Sequence, residues 1–413
     1  MVWTRWVSKA EKYEIFREST IILIYNIAKN LYYLNVKNII YLTSCPHHHD
    51  TFCIYTASNI LHLSNIFLNT IIFNGDSIPI IDKGDYSTNK PYGKKLNNRK
   101  LDKSIDKFIL NLKNKKPPEI NPSTSNLIRK NYLIANLVLI LVFTKCVYFK
   151  NLYYFIFKRK KLNKYFSDYN LLERLKLLYY QRNYLYSYRK NSVNINVKKR
   201  ENPFLIIYAH HQPEASTMPM GGKYTSHIDL IIELRLKGYQ EKIFYKEHPS
   251  IFSYLIGDNN KIEDIDRVGL HRSKKYLENL LKLNCQLLPT NFQVDQNKIT
   301  TEMFVPITIT GNIALERSLL GLSTIVFGNP WWKEMPGIIH IDSIKTLEVI
   351  NKQWTIPSSS IIEESKIWLD KTLSNKTIKN SIGVGYKKEL ISSKDIELTN
   401  KDIFNLIEEL NNE

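Results

Sequence analysis

The stretch Phe204–Pro249 constrains the fold more than any other part of the chain. It opens with an apolar run, Phe204–Tyr208, that stops at a polar loop holding His210, His211, Gln212 and Glu214. Gly221 and Gly222 follow, then an amphipathic run from Tyr224 to Leu236. A second apolar run, Ile243–Tyr245, ends on Lys246-Glu247-His248-Pro249. Short apolar runs cut off by polar and glycine residues read as buried strands, and the amphipathic run reads as a helix. The order is therefore strand, loop, helix, strand, loop. In an open parallel sheet, ligands settle just beyond the carboxyl ends of the strands, and both polar clusters fall at such ends.

The alternation continues downstream. Asn284–Leu288, Phe304–Ile309, Ser323–Phe327 and Ile338–Ile341 read as strands. Ile313–Leu320, Ile361–Leu373 and Asp402–Leu410 read as helices, the last docking the tail. Strands alternating with helices imply a parallel sheet with right-handed crossovers. The chain carries no solenoid-period repeat, no GxGxxG and no Walker A motif.

Upstream of residue 200 the signals are weaker. Asn38–Leu42 is a strand candidate, Cys53–Leu61 looks helical and Thr70–Phe73 resembles another strand, a rhythm compatible with a first Rossmann-like domain. Ile21–Ile27 is a further short apolar run. Lys83–Ser125, rich in Lys, Asn, Asp and Pro, reads as a long solvated connection. Tyr132–Phe143 is the most apolar segment but too short for a span, which needs roughly 20 residues. Phe149–Lys190 interleaves aromatic and Leu residues with Lys and Arg. That pattern fits either helices with solvated basic faces or an interfacial surface on anionic lipid. Polar residues 191–202 mark the expected domain boundary.

Charge separates the halves. Residues 1–200 hold 34 Lys and Arg against 12 Asp and Glu, a net of +22, while residues 201–413 hold 24 against 27. A basic half points to polyanions: anionic lipid, nucleic acid or an acidic glycan. No RNP-like, KH or finger motif appears, so nucleic acid is not an expected partner. Four scattered cysteines fit a reducing compartment. Cys45 and Cys53 lie near His47–His49 and Asp50, but no second pair at finger-like spacing follows, so no metal is expected. The charged N-terminus does not read as a signal peptide. A cytoplasmic location, with peripheral contact at the inner membrane face, is expected.

Chemistry concentrates at four loops. Lys246 and His248, two residues apart at a strand end, offer a cation and an imidazole to a phosphate, and Pro249 restricts the residue before it. Thr310-Gly311-Asn312 joins a strand to a helix, where Gly311 permits close approach and free N–H groups suit an anion. Glu316, one turn on, suits ribose hydroxyls. Glu214 follows Pro213 and offers a base or a nucleophile. In GNPWWKEMPG (328–337), Trp331 and Trp332 either stack on a sugar or base or fill an interdomain contact.

In their order, HQPE, GG, KEHP, TGN-x-x-x-E and FGNPWW-x-x-x-PG resemble the capsule polysaccharide biosynthesis family, which includes Kdo transferases. The resemblance spans roughly residues 204–343, and SCPHHHD after the first strand looks like that family's first-domain loop. It implies an α/β, GT-B-like fold: two Rossmann-like domains facing across a cleft, here with a basic helical insertion. The units would be 1–130 on the acceptor side, 131–200 as the basic aromatic segment, 201–390 binding the nucleotide sugar, and 391–413 as a C-terminal helix. It also implies a metal-independent glycosyltransferase without a cofactor. Such an enzyme moves an acidic, Kdo-like sugar from a CMP-linked donor to a glycan or lipid-linked acceptor. By that resemblance Lys246 and His248 hold the donor phosphate, Gly311, Asn312 and Glu316 lie near the nucleotide, and Glu214 is the catalytic carboxylate with His248. His47, Asp50 and His211 fall on the acceptor side. Where some members carry an Asp in the Glu214 loop, this chain has Ala215 and Ser216. Rival readings are a CDP-glycerol-type phosphotransferase, a sugar-nucleotide epimerase and a non-catalytic module of a polysaccharide export complex.

Overall fold

The computed structural model describes residues 13–42, 49–70, 77–82, 90–91, 102–114, 183–184, 186–193, 203–210, 221–248, 272–289, 292, 304–347, 350, 352–373, 401–408 and 410. Among these residues the strands form two sheets. The first holds β1 (Asn38–Tyr41), β2 (Ser64–Thr70), β3 (Ser77–Asp82) and β4 (Lys90–Pro91), in that spatial order. α1 (Tyr13–Tyr33) precedes it, and α2 (His49–Ile60) links β1 to a parallel β2. The expected apolar run Ile21–Ile27 is the middle of α1. Ile24 of α1 packs on Cys53 and Ala57 of α2, with Ile27, Ala28 and Leu31 alongside. α1 ends in a Schellman motif. Asn35 at φ 51° donates to the Tyr32 carbonyl, and the Val36 N–H reaches the Leu31 carbonyl.

The helix-linked parallel pattern expected of this half holds for β1–α2–β2 and then gives way. β2 with β3, and β3 with β4, are antiparallel. Residues 71–76 alone separate β2 from β3, too few for a crossover helix. They include Asn74-Gly75, the strongest short hairpin signal. The strand expected at Thr70–Phe73 meets β2 at Thr70, and 71–73 lie outside the described residues.

The second sheet contains β5 (Phe204–Tyr208), β6 (Ile243–Lys246), β7 (Cys285–Leu288), β8 (Phe304–Thr308), β9 (Thr324–Val326) and β10 (Ile338–His340). Its spatial order is β7-β6-β5-β8-β9-β10, and every neighbouring pair is parallel. The chain runs outward from β5 to β7, returns to the other side of β5 with β8, and runs outward again. That is a doubly wound, Rossmann-like order with its reversal between β5 and β8. Pro306 sits inside β8, yet the β8–β9 ladder begins one residue later, at Ile307 and Ile325. The missing proline N–H therefore falls where no β9 residue is paired.

Period-two alternation sends β5 side chains to opposite faces. Leu205 and Ile207 join Leu230, Ile231 and Leu234 of α4 (His227–Leu236) and Leu277 and Leu280 of α5 (Lys274–Lys282). Phe204 and Ile206 join Phe244, Leu288 and Phe304. Tyr184 and Tyr188, in helical residues near the end of the basic aromatic stretch, are buried in the first of these clusters. The boundary expected at residue 200 thus falls after residues that already belong to the second sheet's core. Residues 131–182 lie outside the described residues.

Lys83–Ser125 is not wholly a solvated connection. It contains α3 (Asp102–Lys113), whose Ile105, Phe108, Ile109 and Leu112 are buried at i, i+3, i+4 and i+7 spacing. Its many Lys and Asn residues disguise that stripe. The α3 stripe packs with Ile78 and Ile80 of β3, and with α6 (Ile313–Ser318) and α7 (Ser359–Leu373) of the second sheet. Lys366 of α7 adds an ion pair to Asp106 at 3.2 Å. The helix expected at Asp402–Leu410 is present, and its Leu406 and Leu410 pack on Ile66 and Leu68 of β2.

Because α3 is shared between the sheets, Phe108→Ala should destabilise the chain by about 3–5 kcal/mol in urea titration. A loss below about 0.5 kcal/mol, the value for a surface position, would return this region to the solvated reading.

Candidate functional site

The carboxyl ends of β5, β6 and β8 share one rim because the three strands are adjacent and parallel. The order reversal lies between β5 and β8, the place where open α/β sheets form a crevice. His210, two residues beyond β5, occupies it. Its Nε2 faces the N–H groups of Ile309 (3.2 Å) and Thr310 (3.3 Å), just past β8. That nitrogen is therefore the acceptor. The Thr308 hydroxyl at 2.9 Å donates to it, and the ring proton is assigned to Nδ1. The same hydroxyl accepts from the Gly311 N–H at 3.0 Å. A Cβ on Gly311 would stand 2.5 Å from Thr308 Oγ1 and 3.4 Å from His210 Cε1. Glycine is required there by close approach.

These bonds correct one expectation. The N–H groups of Ile309, Thr310 and Gly311 are already taken by His210 and Thr308, so they are not free for an anion. α6 is also only six residues long, and Asn312 caps it without a side-chain hydrogen bond. Positive charge at the rim comes instead from β6.

Lys246 ends β6 and pairs in register with Tyr208 of β5. Its Nζ lies 5.4 Å from the Tyr208 ring centroid, a cation–π arrangement. Burial pushes its ammonium down to about 8, against an opposing pull from Glu247. It is charged at neutral pH and loses that charge just above. His248 follows β6 half-buried, and its N–H donates to Glu247 Oε1 at 2.9 Å. From β6 to β8 the backbones stand two strand spacings apart, roughly 10 Å.

Beneath the rim is a buried ion pair. Arg272 is 2% exposed and Glu247 0%. Arg272 Nε donates to Oε2 at 2.7 Å and Nη2 to Oε1 at 3.2 Å. Tyr184 donates to Oε2 at 2.6 Å, and Arg272 Nη2 also reaches the His210 carbonyl at 3.1 Å. Burial alone would raise the Glu247 carboxyl; Arg272 and these hydrogen bonds outweigh it and hold it below the usual range. Next to them His227 accepts the His210 N–H on Nε2 at 3.0 Å. Burial first, then Arg272, drives its pKa well below normal, so it stays neutral.

Glu316 is half-buried in α6, and burial raises its carboxyl to about 7. It is partly protonated at neutral pH, able to donate as well as accept. Trp331 and Trp332 are buried, and Trp331 stacks on Trp368 at 6.1 Å. Both belong to the cluster that joins the sheets. Of the two expected roles, their packing matches the contact. Asp50 sits exposed in the first turn of α2, 3.7 Å from its neighbour His49. Glu214, His211 and His47 lie outside the described residues.

Lys246, His248, Gly311 and Glu316 are thus brought to strand ends of one sheet or to the short helix beside it. His210, Thr308 and the Glu247–Arg272 pair complete the rim, and sequence reasoning assigned none of them a role. One signal for Glu247 existed: alternation places it opposite Lys246, toward the side where Tyr245 is buried. Arg272, before Ser273 at the α5 N-cap, offers no such cue. Among the described residues no group of three His, Cys, Asp or Glu is placed to hold a metal ion, and no helix is long and apolar enough to cross a membrane.

Compared with protein-family models, with curated proteins and with solved structures, the chain matches none.

Two outcomes follow from the charges. Arg272→Met leaves a buried carboxylate unpaired and should lower stability by about 3–5 kcal/mol in denaturant titration, with Glu247→Gln in the same chain restoring part of it. Glu316 has a folded pKa above its unfolded one. Its contribution is therefore full below the ordinary carboxyl value and is lost as pH rises through about 7. The melting temperature of Glu316→Gln relative to wild type should climb between pH 4.5 and pH 8. A flat difference across that range would mean an unshifted carboxyl.

Proposed function

We propose that this chain is a nucleotide-sugar-dependent glycosyltransferase of GT-B-like architecture. In this reading it moves an acidic sugar from a CMP-linked donor to a glycan or lipid-linked acceptor of a surface polysaccharide. The observation that carries the reading is that Lys246, His248 and the Thr308–Gly311 turn follow the carboxyl ends of β6 and β8, on the same edge of a doubly wound sheet as its β5–β8 switch point.

Glycosyl transfer from a nucleotide donor needs negative charge stabilised as the phosphate departs. Lys246 supplies an ammonium whose partial burial removes competing water, and the His248 imidazole supplies a second donor. Gly311 lets Thr308 and His210 pack against the backbone of the turn beside them. His210, locked by Thr308 and two N–H groups, keeps that turn at a fixed height above β5. Glu316, poised near neutrality, suits ribose hydroxyls as donor or acceptor. Glu214 is the carboxylate assigned to the acceptor hydroxyl or the anomeric carbon, and His211, His47 and Asp50 are assigned to the acceptor side. The basic first half suits an anionic acceptor or membrane.

A thermal-shift comparison of CMP, CDP, UDP and GDP tests the donor, since a ligand bound only by the folded state raises the melting temperature. CMP is expected to give the largest shift. Calorimetric CMP affinity should fall as pH rises through about 8, where Lys246 loses its proton. Lys246→Arg should keep affinity to higher pH, and His248→Ala should weaken binding about tenfold or more, the loss of one charge-assisted hydrogen bond. CMP affinity indifferent to both substitutions would remove this rim from donor binding.

A further inference from the structure

α1 is apolar on two sides. Thr20, Ile24, Ile27, Ala28 and Leu31 face α2, and the Thr20 hydroxyl is hydrogen-bonded to His49 Nε2 at 3.0 Å. That stripe fixes the helix to the first sheet's unit. Helical spacing then puts Ile21, Ile22, Tyr25, Tyr32 and Tyr33 together on another side, in a sector roughly 120° wide. All five are exposed, Ile22 at 61%, Tyr25 at 67% and Tyr33 at 72%. Lys29, its Nζ 5.8 Å from the Tyr33 ring centroid, and the exposed Glu18 lie within the same sector, so the positive charge that attracts an anionic surface comes from the rest of the first half.

We propose that this outer band of α1 is a docking face for an anionic lipid bilayer, with the helix lying in the headgroup plane. Composition and charge select this occupant. Tyrosine rings, apolar in body and polar at the tip, settle at headgroup depth, and isoleucines reach the acyl boundary. Residues 1–200 carry a net charge of +22, which an anionic surface attracts. A second copy of the chain fits less well, because each copy carries +19 and their fields oppose contact. Arg17, Glu18 and Lys29 within α1 make it a helix that lies on the membrane rather than one that crosses it. The inference does not depend on glycosyl transfer.

The experiment uses the full chain and sedimentation with vesicles of phosphatidylcholine, with and without phosphatidylglycerol. Wild type should bind the anionic vesicles and release as salt rises. Ile22→Glu with Tyr33→Glu alters exposed positions only, so the melting temperature should hold while partitioning falls by about tenfold or more. In parallel, Tyr25→Trp should show added fluorescence that brominated lipid quenches. This arm introduces no charge and stands if the double variant misfolds. The proposal is overturned if the folded double variant binds vesicles like wild type, or if the Tyr25→Trp signal is unquenched in bound protein. It also fails if wild type ignores anionic vesicles, or if the chain is a dimer that the double variant splits.

Discussion

The second sheet's rim depends on one carboxylate. Glu247 is fully buried, and it is tolerable there because Arg272, the Tyr184 and Tyr245 hydroxyls and the His248 N–H all point at it. A lone ion in that position would face a desolvation penalty of several kcal/mol. The requirement propagates outward. Tyr184 must come from residues before β5, Arg272 from just before α5, and Arg272 must also hold the His210 carbonyl at the end of β5. Three separate segments are therefore fixed relative to β6 by a single charge. Replacing the pair by apolar residues of equal volume would not obviously weaken the fold. What it would lose is the fixed position of His210 and His248 above it.

The upper layer of the rim follows the same logic with neutral groups. His210 accepts two backbone N–H groups and a hydroxyl, and its own N–H is accepted by His227. Such a network is worth having only when every member is satisfied. His227 can serve because burial and Arg272 keep it uncharged. Lys246 and His248, at the end of β6, thus stand beside a network held by neutral imidazoles and a closed ion pair.

Much of the second sheet was legible in the chain, because strands buried on both faces must be apolar throughout. Phe204–Tyr208 and Phe304–Thr308 are such runs, and their polar terminators marked the rim. The first half was harder to read. β2 and β3 pair as a hairpin whose Asn-Gly signal sits between apolar runs, and α3 hides four buried residues among lysines and asparagines. Lys246 and His248 were readable as surface chemistry at a strand end. His210, Thr308 and Arg272 were not, because their roles arise from contacts 98 or 62 residues away in sequence. Trp331 and Trp332 illustrate the converse case. Glycine and proline around two indoles left open stacking on a sugar or base, but the indoles are buried in the core between the sheets, where large aromatic area is most stabilising.

Leu406 and Leu410 lie on Ile66 and Leu68 of β2, while α7 before them serves the other sheet. The polypeptide therefore returns, after the second sheet, to the sheet that precedes it. Until residues 406 and 410 have been synthesised, Ile66 and Leu68 lack the packing those leucines supply, and gaining it joins positions 68 and 406. Contacts of such separation slow folding, since loop entropy is lost before they form. The early unit thus waits for the late one, and a nascent chain halted between them would expose a sticky strand to whatever chaperone or neighbour is at hand.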